Sequence, residues 1–290
     1  MLDVSGNKLT DTPPMFAGWE PVKKLGTGAA STIYQVRNVE TGQMRALKYV
    51  MRKDGEDKRM IDQVEAEFDV ASKIDHPYIR KVYEIKRIRK MLACREVIML
   101  MEFCPGISLE QGPSHSLLDL LLVFRMVANA IHGMHQAGFI HCDLKPNNII
   151  IAENGGIKVI DLGQSCAVGT VKTRIQGTPD YIAPEQVKRR PLSRQTDIFN
   201  LGATIYWALT GKNIPTMIPK HQTAGSITVE KNVPPPPSPN ELKPKIPVGV
   251  SNLVMECIRK KPIDRPKDMP EVIARLDLLI HMIASGKSLK

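Results

Sequence analysis

A chain of 290 residues, 42% of them hydrophobic, is long enough to bury a substantial core in one large domain or two small ones. Forty basic against thirty acidic residues leave a formal charge of +10, which would suit nucleic acid, acidic lipid or a phosphorylated ligand. The excess is scattered, and its densest pieces (86–90, 188–190 and 259–261) carry no interleaved aromatics, so they are expected to be solvated faces rather than a specific nucleic-acid surface.

No run approaches the roughly 18 consecutive apolar residues of a membrane span, and the first fifteen residues hold no apolar signal core. The five cysteines (Cys94, Cys104, Cys142, Cys166 and Cys257) form no C-x-x-C pair, which fits reduced thiols in a cytoplasmic location.

In chain order, residues 1–14 are expected to be an N-terminal tail. From Trp19 to Phe103 the pattern is mostly that of strands, in EPVKKLG, STIYQVRN, MRALKYVM and EVIMLMEF. Between them, over 58–74, Ile61, Val64, Phe68, Ala71 and Ile74 recur every three or four residues and predict one helix. After Cys104-Pro105-Gly106 the chain becomes mainly helical. Ser116, with Asp119 three residues on, predicts a helix start, and Gly138 predicts its stop. Further helices are expected over 197–210, 249–260 and 269–283. The proline-rich stretch 232–247 excludes regular ladders and reads as extended surface chain. A small strand-rich lobe and a larger helical lobe imply a cleft for a ligand.

Four stretches carry chemistry. In LGTGAASTIYQV (25–36), Gly26 and Gly28 would let backbone amides approach phosphate, with Ser31 where a third glycine would complete G-x-G-x-x-G. Lys48, on an apolar strand, needs a carboxylate, and Glu67 on the following helix is the candidate. In FIHCDLKPNNIII (139–151), Asp143 and Asn148 stand five apart, and Asp161 follows in KVIDLG. Two carboxylates and an amide suit a magnesium phosphate, with Asp143 accepting the proton of an attacking hydroxyl and Asn148 and Asp161 on metal. His132 and His135, three apart on one helix without a third ligand, read as packing.

These motifs, together with GTPDYIAPE (177–185), Asp197 and Arg265, follow one another in the order of one family. From Trp19 to Ile283 the chain resembles a eukaryotic-type (Hanks-type) serine/threonine protein kinase of the kind found in bacteria. The resemblance implies an α+β, bilobal fold, with a small antiparallel β-sheet lobe holding one helix (15–101), a hinge with a larger mainly helical lobe (102–285), and a short tail (286–290).

It also implies ATP with Mg2+ or Mn2+, protein substrates with Ser/Thr acceptors, autophosphorylation, and a regulatory protein acting on the Glu67 helix. Leu25, Gly26, Gly28 and Ser31 would lie over the nucleotide, Lys48 would hold its α and β phosphates, and Glu67 would hold Lys48. Glu102 to Cys104 would offer hinge backbone to adenine, Met101 would be the gatekeeper, and Ile33, Ala46 and Ile150 would sandwich the ring. Asp143, Lys145 and Thr178 would serve the transfer, Asn148 and Asp161 the metal, and Glu185 would pair with Arg265. Cys142, Leu162, Phe199 and Asn200 depart from residues common in the family, but none of them removes a catalytic group. A pseudokinase scaffold and a small-molecule phosphotransferase are the alternatives; the intact Lys48, Asp143 and Asp161 speak against the first and GTPDYIAPE against the second.

Overall fold

The computed structural model describes residues 16–28, 31–52, 59–90, 93–218, 229–230 and 232–286. The proposed N-terminal tail and all but Gly286 of the C-terminal tail lie outside them. The chain divides into two compact units: residues up to Asp75 with Arg80–Pro105, and His76–Ile79 with the chain from Gly106 onward.

The first unit is an antiparallel sheet with one helix. Strands β1 (Trp19–Thr27), β2 (Ser31–Asn38), β3 (Met44–Met51), β4 (Val82–Lys90) and β5 (Ala93–Glu102) pair in the order β1-β2-β3-β5-β4. Helix α1 (Arg59–Ala71) turns Ile61, Val64 and Val70 inward. Ile61 and Val64 join Ala46, Val50, Val97, Met99 and Met101 in one apolar cluster. The helix stops three residues short of the expected Ile74, which is buried in the turn that follows.

Sequence reading missed β4 because it contains the basic run of 86–90. In place, Ile85 and Ile88 pack inward while Lys86, Arg87 and Arg89 are exposed. Cations on such an edge strand discourage pairing with other chains.

The second unit is mainly helical: α2 (Leu117–Gln136), α3 (Pro184–Val187), α4 (Arg194–Thr210), α5 (Pro239–Leu242), α6 (Val248–Cys257) and α7 (Met269–Ala284). It also holds short strands β6 (Ile107–Ser108), β7 (Phe139–Ile140), β8 (Ile149–Ile151), β9 (Ile157–Val159) and β10 (Cys166–Ala167), which form the ladders β6-β8-β9 and β7-β10. Ser116 caps α2 by accepting from the Asp119 backbone N–H at 3.1 Å. Gly138, at φ +85°, lies two residues beyond its end.

Among the described residues α2 alone is long and apolar enough to cross a membrane, although Asp119 and Arg125 interrupt its apolar run. Ten of its twenty residues are buried here, Leu121, Phe124, Val127 and Ile131 fully, and it packs against α4 and α7 as a core helix. Helices α4 and α6 cross so closely at Gly202 that an added Cβ would stand 2.5 Å from the Cys257 Cβ. The proline-rich stretch is not wholly extended, since Pro239–Leu242 makes one helical turn.

Candidate active site

The first unit contributes a buried ion pair. Lys48 on β3 places Nζ 2.5 Å from Glu67 Oε2, with the two side chains 11% and 2% exposed. Arg80 donates to the other oxygen, Oε1, at 3.2 Å, so one carboxylate holds two cations out of water. No periodicity marks Arg80, because it follows a turn rather than sitting on a patterned element.

The glycine-rich stretch is the turn of the β1–β2 hairpin. Gly26 pairs with Ile33, and the Gly28 N–H donates to the Ser31 carbonyl at 2.7 Å. Leu25 is exposed and Ser31 and Ile33 are half-buried. Ala46 lies opposite Met101 across the β3–β5 ladder, both buried. The Glu102 carboxylate accepts from the Lys81 N–H at 3.1 Å, and Cys104 Sγ lies 3.7 Å from the Glu102 carbonyl.

The second unit gathers the FIHCDLKPNN residues between β7 and β8, and Ile150 within β8 pairs with Lys158 and Ser108. Asp143, 8% exposed, accepts through Oδ1 from the Thr178 N–H at 2.8 Å and the Thr178 hydroxyl at 2.7 Å. Its Oδ2 lies 3.0 Å from Lys145 Nζ, which also donates to Thr178 Oγ1 at 2.8 Å. Asp143, the lysine two residues on and a threonine 35 positions away thus share one hydrogen-bonded cluster. Asn148 donates from Nδ2 to the Asp143 carbonyl at 2.9 Å, and its own carbonyl accepts from the Ile160 N–H at 2.9 Å, next to Asp161.

A buried carboxylate fixes the loop that carries Asp143. Asp197, near the start of α4, accepts from the backbone N–H of His141 at 2.9 Å and of Cys142 at 2.8 Å, with His135 Nε2 2.8 Å away. Burial opposes its charge, but the His135 contact and the charges and amide around it hold the carboxyl below its ordinary range. These bonds keep Cys142 at φ +66°, a left-handed conformation that costs a residue with a side chain about 1 kcal/mol or more. His135 therefore serves packing and anchoring, and among the described residues no group of three or more His, Cys, Asp or Glu could hold a metal by itself.

Below this loop Arg265 and Glu185 form a bidentate pair at 2.7 and 2.9 Å, with their side chains 0% and 5% exposed. Gln186, which sequence reading passed over, donates to the carbonyls of Cys142 at 2.8 Å and Gln176 at 3.1 Å. It ties the loop that carries Asp143 to the segment that carries Thr178. Its only signal was adjacency to Glu185.

A β-sheet unit with a buried Lys48–Glu67 pair, and a helical unit with Asp143, Lys145, Asn148 and Thr178 in one cluster, define a phosphoryl-transfer domain. Residues 19–275 match the protein kinase domain family, and the chain belongs to it. It is 28% identical over 269 residues to a probable serine/threonine-protein kinase of Corynebacterium efficiens, a match covering 88% of this chain and 40% of that protein. With the serine/threonine-protein kinase PrkC of Bacillus subtilis it shares 27% over 256 residues, covering 85% and 38%. With PknA of Mycobacterium tuberculosis it shares 28% over 250 residues, covering 83% and 56%. The chain thus spans about two fifths of the length of the first two relatives.

Proposed function

We propose that this chain transfers the γ-phosphoryl group of ATP to serine and threonine hydroxyls of protein substrates, itself included. The observation that carries this reading is the Asp143–Lys145–Thr178 cluster: a carboxylate held ready to accept a hydroxyl proton, beside an ammonium placed to meet phosphate charge. Lys145 is also the residue that resembles serine/threonine rather than tyrosine kinases.

In this reading Lys48, aimed by Glu67, binds the α and β phosphates. The backbone of 102–104 binds adenine, beside the apolar side chains of Ile33, Ala46 and Ile150, with Met101 as gatekeeper. The β1–β2 turn, with Leu25, Gly26, Gly28 and Ser31, covers the phosphates. Asp143 orients the acceptor hydroxyl and takes its proton.

Asp161 and Asn148 supply a carboxylate and an amide oxygen, a hard donor set of few protein ligands that suits Mg2+, an ion that keeps waters and phosphate oxygens as its other ligands. The amide fits that role because Asn148 Nδ2 is already committed to the Asp143 carbonyl, which turns Oδ1 the other way. Asp161, at φ +63°, is held in a strained conformation of the kind that clusters at functional sites. The metal neutralises charge on the phosphates when bound. A regulatory protein on α1 would act through Glu67, because moving that helix moves the carboxylate that holds Lys48 and Arg80.

The experiment is phosphate transfer from radiolabelled ATP to a generic protein substrate, with amino-acid analysis of the product and an aminoglycoside as competing acceptor. Asp143→Asn should lose about 10²- to 10⁴-fold in turnover while keeping ATP affinity, because the side chain acts on the hydroxyl. Asp161→Asn should weaken metal-ATP binding as well. Wild-type turnover in Asp143→Asn, or label found on tyrosine or the aminoglycoside alone, would refute the reading.

A further inference from the structure

Cys142 occupies the position directly before Asp143, and its thiol is used by nothing in the transfer described above. It is 1% exposed, and its sulfur lies 3.7 Å from that of Cys166. The two belong to different segments of the second unit. Cys142 is in the catalytic loop, whereas Cys166 begins β10, five residues after Asp161, where the register places it opposite Ile140. Ile140 and Leu192 pack around the pair.

The two thiols are unequal. Cys166 is half-buried, and its thiol is lowered to about 7: the Cys142 S–H bonds toward it, which outweighs its partial burial, and the Lys172 ammonium is nearby. The bond to Cys166 and its own burial push the Cys142 thiol up. Such a pair has the division of labour of an oxidisable dithiol, with an accessible nucleophile and a buried resolving partner.

We propose that Cys142 and Cys166 are a peroxide-oxidisable pair whose disulfide ties the loop that carries Asp143 to the segment that runs from Cys166 to Thr178, and slows phosphoryl transfer. The Cys166 thiolate attacks one peroxide oxygen, the O–O bond breaks, and hydroxide leaves to take up a proton as the first water. Cys142 then attacks the resulting sulfenic sulfur; the S–S bond forms, the S–O bond breaks, and the second water carries away the Cys142 proton. Two thiols and one peroxide give one disulfide and two waters, and a dithiol reductant reverses the reaction by exchange.

Closing the sulfurs from 3.7 Å to the roughly 2 Å of a disulfide turns the two side chains toward each other and pulls on the segments that carry them. Cys142 is pinned by its N–H on Asp197 and its carbonyl on Gln186, so the strain falls on the backbone that sets Asp143 and on the segment leading to Thr178. A displacement of about 1 Å at reacting groups can cost about 10²-fold in rate. The control rests on the kinase reading, but the pairing of the thiols does not.

The test treats the reduced full chain with hydrogen peroxide at neutral pH, counts thiols after denaturation, maps disulfides under non-reducing conditions and measures kcat/KM. The expected result is loss of two of the five thiols, a Cys142–Cys166 link, and a fall in kcat/KM of about tenfold or more, both reversed by dithiothreitol. Cys142→Ser should accumulate a sulfenic acid at Cys166 that dimedone traps, and Cys166→Ser should keep both its thiols and its activity under peroxide. Five thiols surviving, or a disulfide through another cysteine, would overturn the pairing. A link that leaves kcat/KM unchanged would overturn the control. A protein that forms the link but shows no transfer before oxidation would support the pair and overturn both the kinase reading and the control that rests on it.

Discussion

The strongest structural consequence of this sequence concerns Glu185, whose carboxylate is the bidentate partner of a fully buried arginine. Arg265 gives its Nη1 and Nη2 to Glu185, and its remaining bonds go to the carbonyls of Arg259 at 2.8 Å, Gln195 at 2.8 Å and Lys260 at 3.3 Å. The Phe199 ring centroid lies 4.9 Å from its guanidinium carbon. No water reaches this cation to take the place of the carboxylate, since its side chain is 0% exposed.

Glu185→Ala therefore leaves a buried charge uncompensated, at a cost of about 3–5 kcal/mol. For a domain of this size that lowers Tm by roughly 6–20 °C. Arg265→Met strands the carboxylate and three carbonyls and should cost about as much. The double variant removes both charges together, so its loss should fall short of the sum of the single losses by about 2–3 kcal/mol. The assay is urea unfolding read by Trp207 fluorescence in a Trp19→Phe background, which confines the signal to α4 because the chain has two tryptophans. A single-variant loss below about 1 kcal/mol, or strictly additive losses, would show that the pair is not the buried, mutually dependent one described here.

Other expectations follow from named contacts. Met101→Gly should admit N6-substituted ATP analogues that the parent rejects, and because Met101 is 0% exposed in the first unit's core it should also cost at least about 2–5 kcal/mol; equal use of the analogue by both proteins would displace the gatekeeper assignment. Replacing Ser165, Thr170 and Thr173 together by alanine should change kcat/KM by less than about tenfold, equivalent to 1.4 kcal/mol, because Cys142 puts no buried cation in wait for a phosphate; a larger fall restored by prior phosphorylation would refute this. Alkylation of the reduced protein by iodoacetamide should label Cys166 ahead of the other four cysteines. A lowered pKa leaves the reactive thiolate populated at lower pH, so the rate should be half-maximal near pH 7; a midpoint near the ordinary thiol value would refute it.

What could be read from the sequence divides by physical scale. Ordered motifs and helix periodicity gave the α+β kinase fold and the helices, with bounds shifted by a few residues: α4 begins at Arg194 rather than Asp197, and α6 runs Val248–Cys257 rather than to Lys260. Lys48 and Glu67 could be paired in advance because a cation on an apolar strand demands a partner. Arg80 could not, since nothing local records that its side chain returns to the same carboxylate. Nor does anything local record that Lys172 is half-buried and donates to the Gln164 carbonyl, a contact made by chain folding back over eight residues. Strand β4 was lost because an edge strand with one solvated face can carry the charge pattern of a loop.

Position 142 shows how a departure from a family pattern can leave a site intact. Many kinases carry arginine there, and the exchange to cysteine might be expected to disturb the neighbouring Asp143. The contacts that place Asp143 do not involve the Cys142 side chain. They are the bonds of Asp143 itself to Thr178, Lys145 and Asn148, and the backbone bonds beside it: the His141 and Cys142 N–H groups on Asp197, and the Cys142 carbonyl on Gln186. The left-handed conformation at 142 is imposed by these bonds and is paid for by the buried Asp197 carboxylate, whatever the side chain is. Because the backbone is fixed independently, the side chain is released from positioning and its chemistry can change. An arginine there would require a counter-charge in a pocket formed by Ile140, Leu192 and Cys166, whereas a thiol fits among apolar neighbours without one. Cysteine places no cation at this buried position and brings two sulfurs within 3.7 Å, so the control proposed for the segment is one that responds to oxidants.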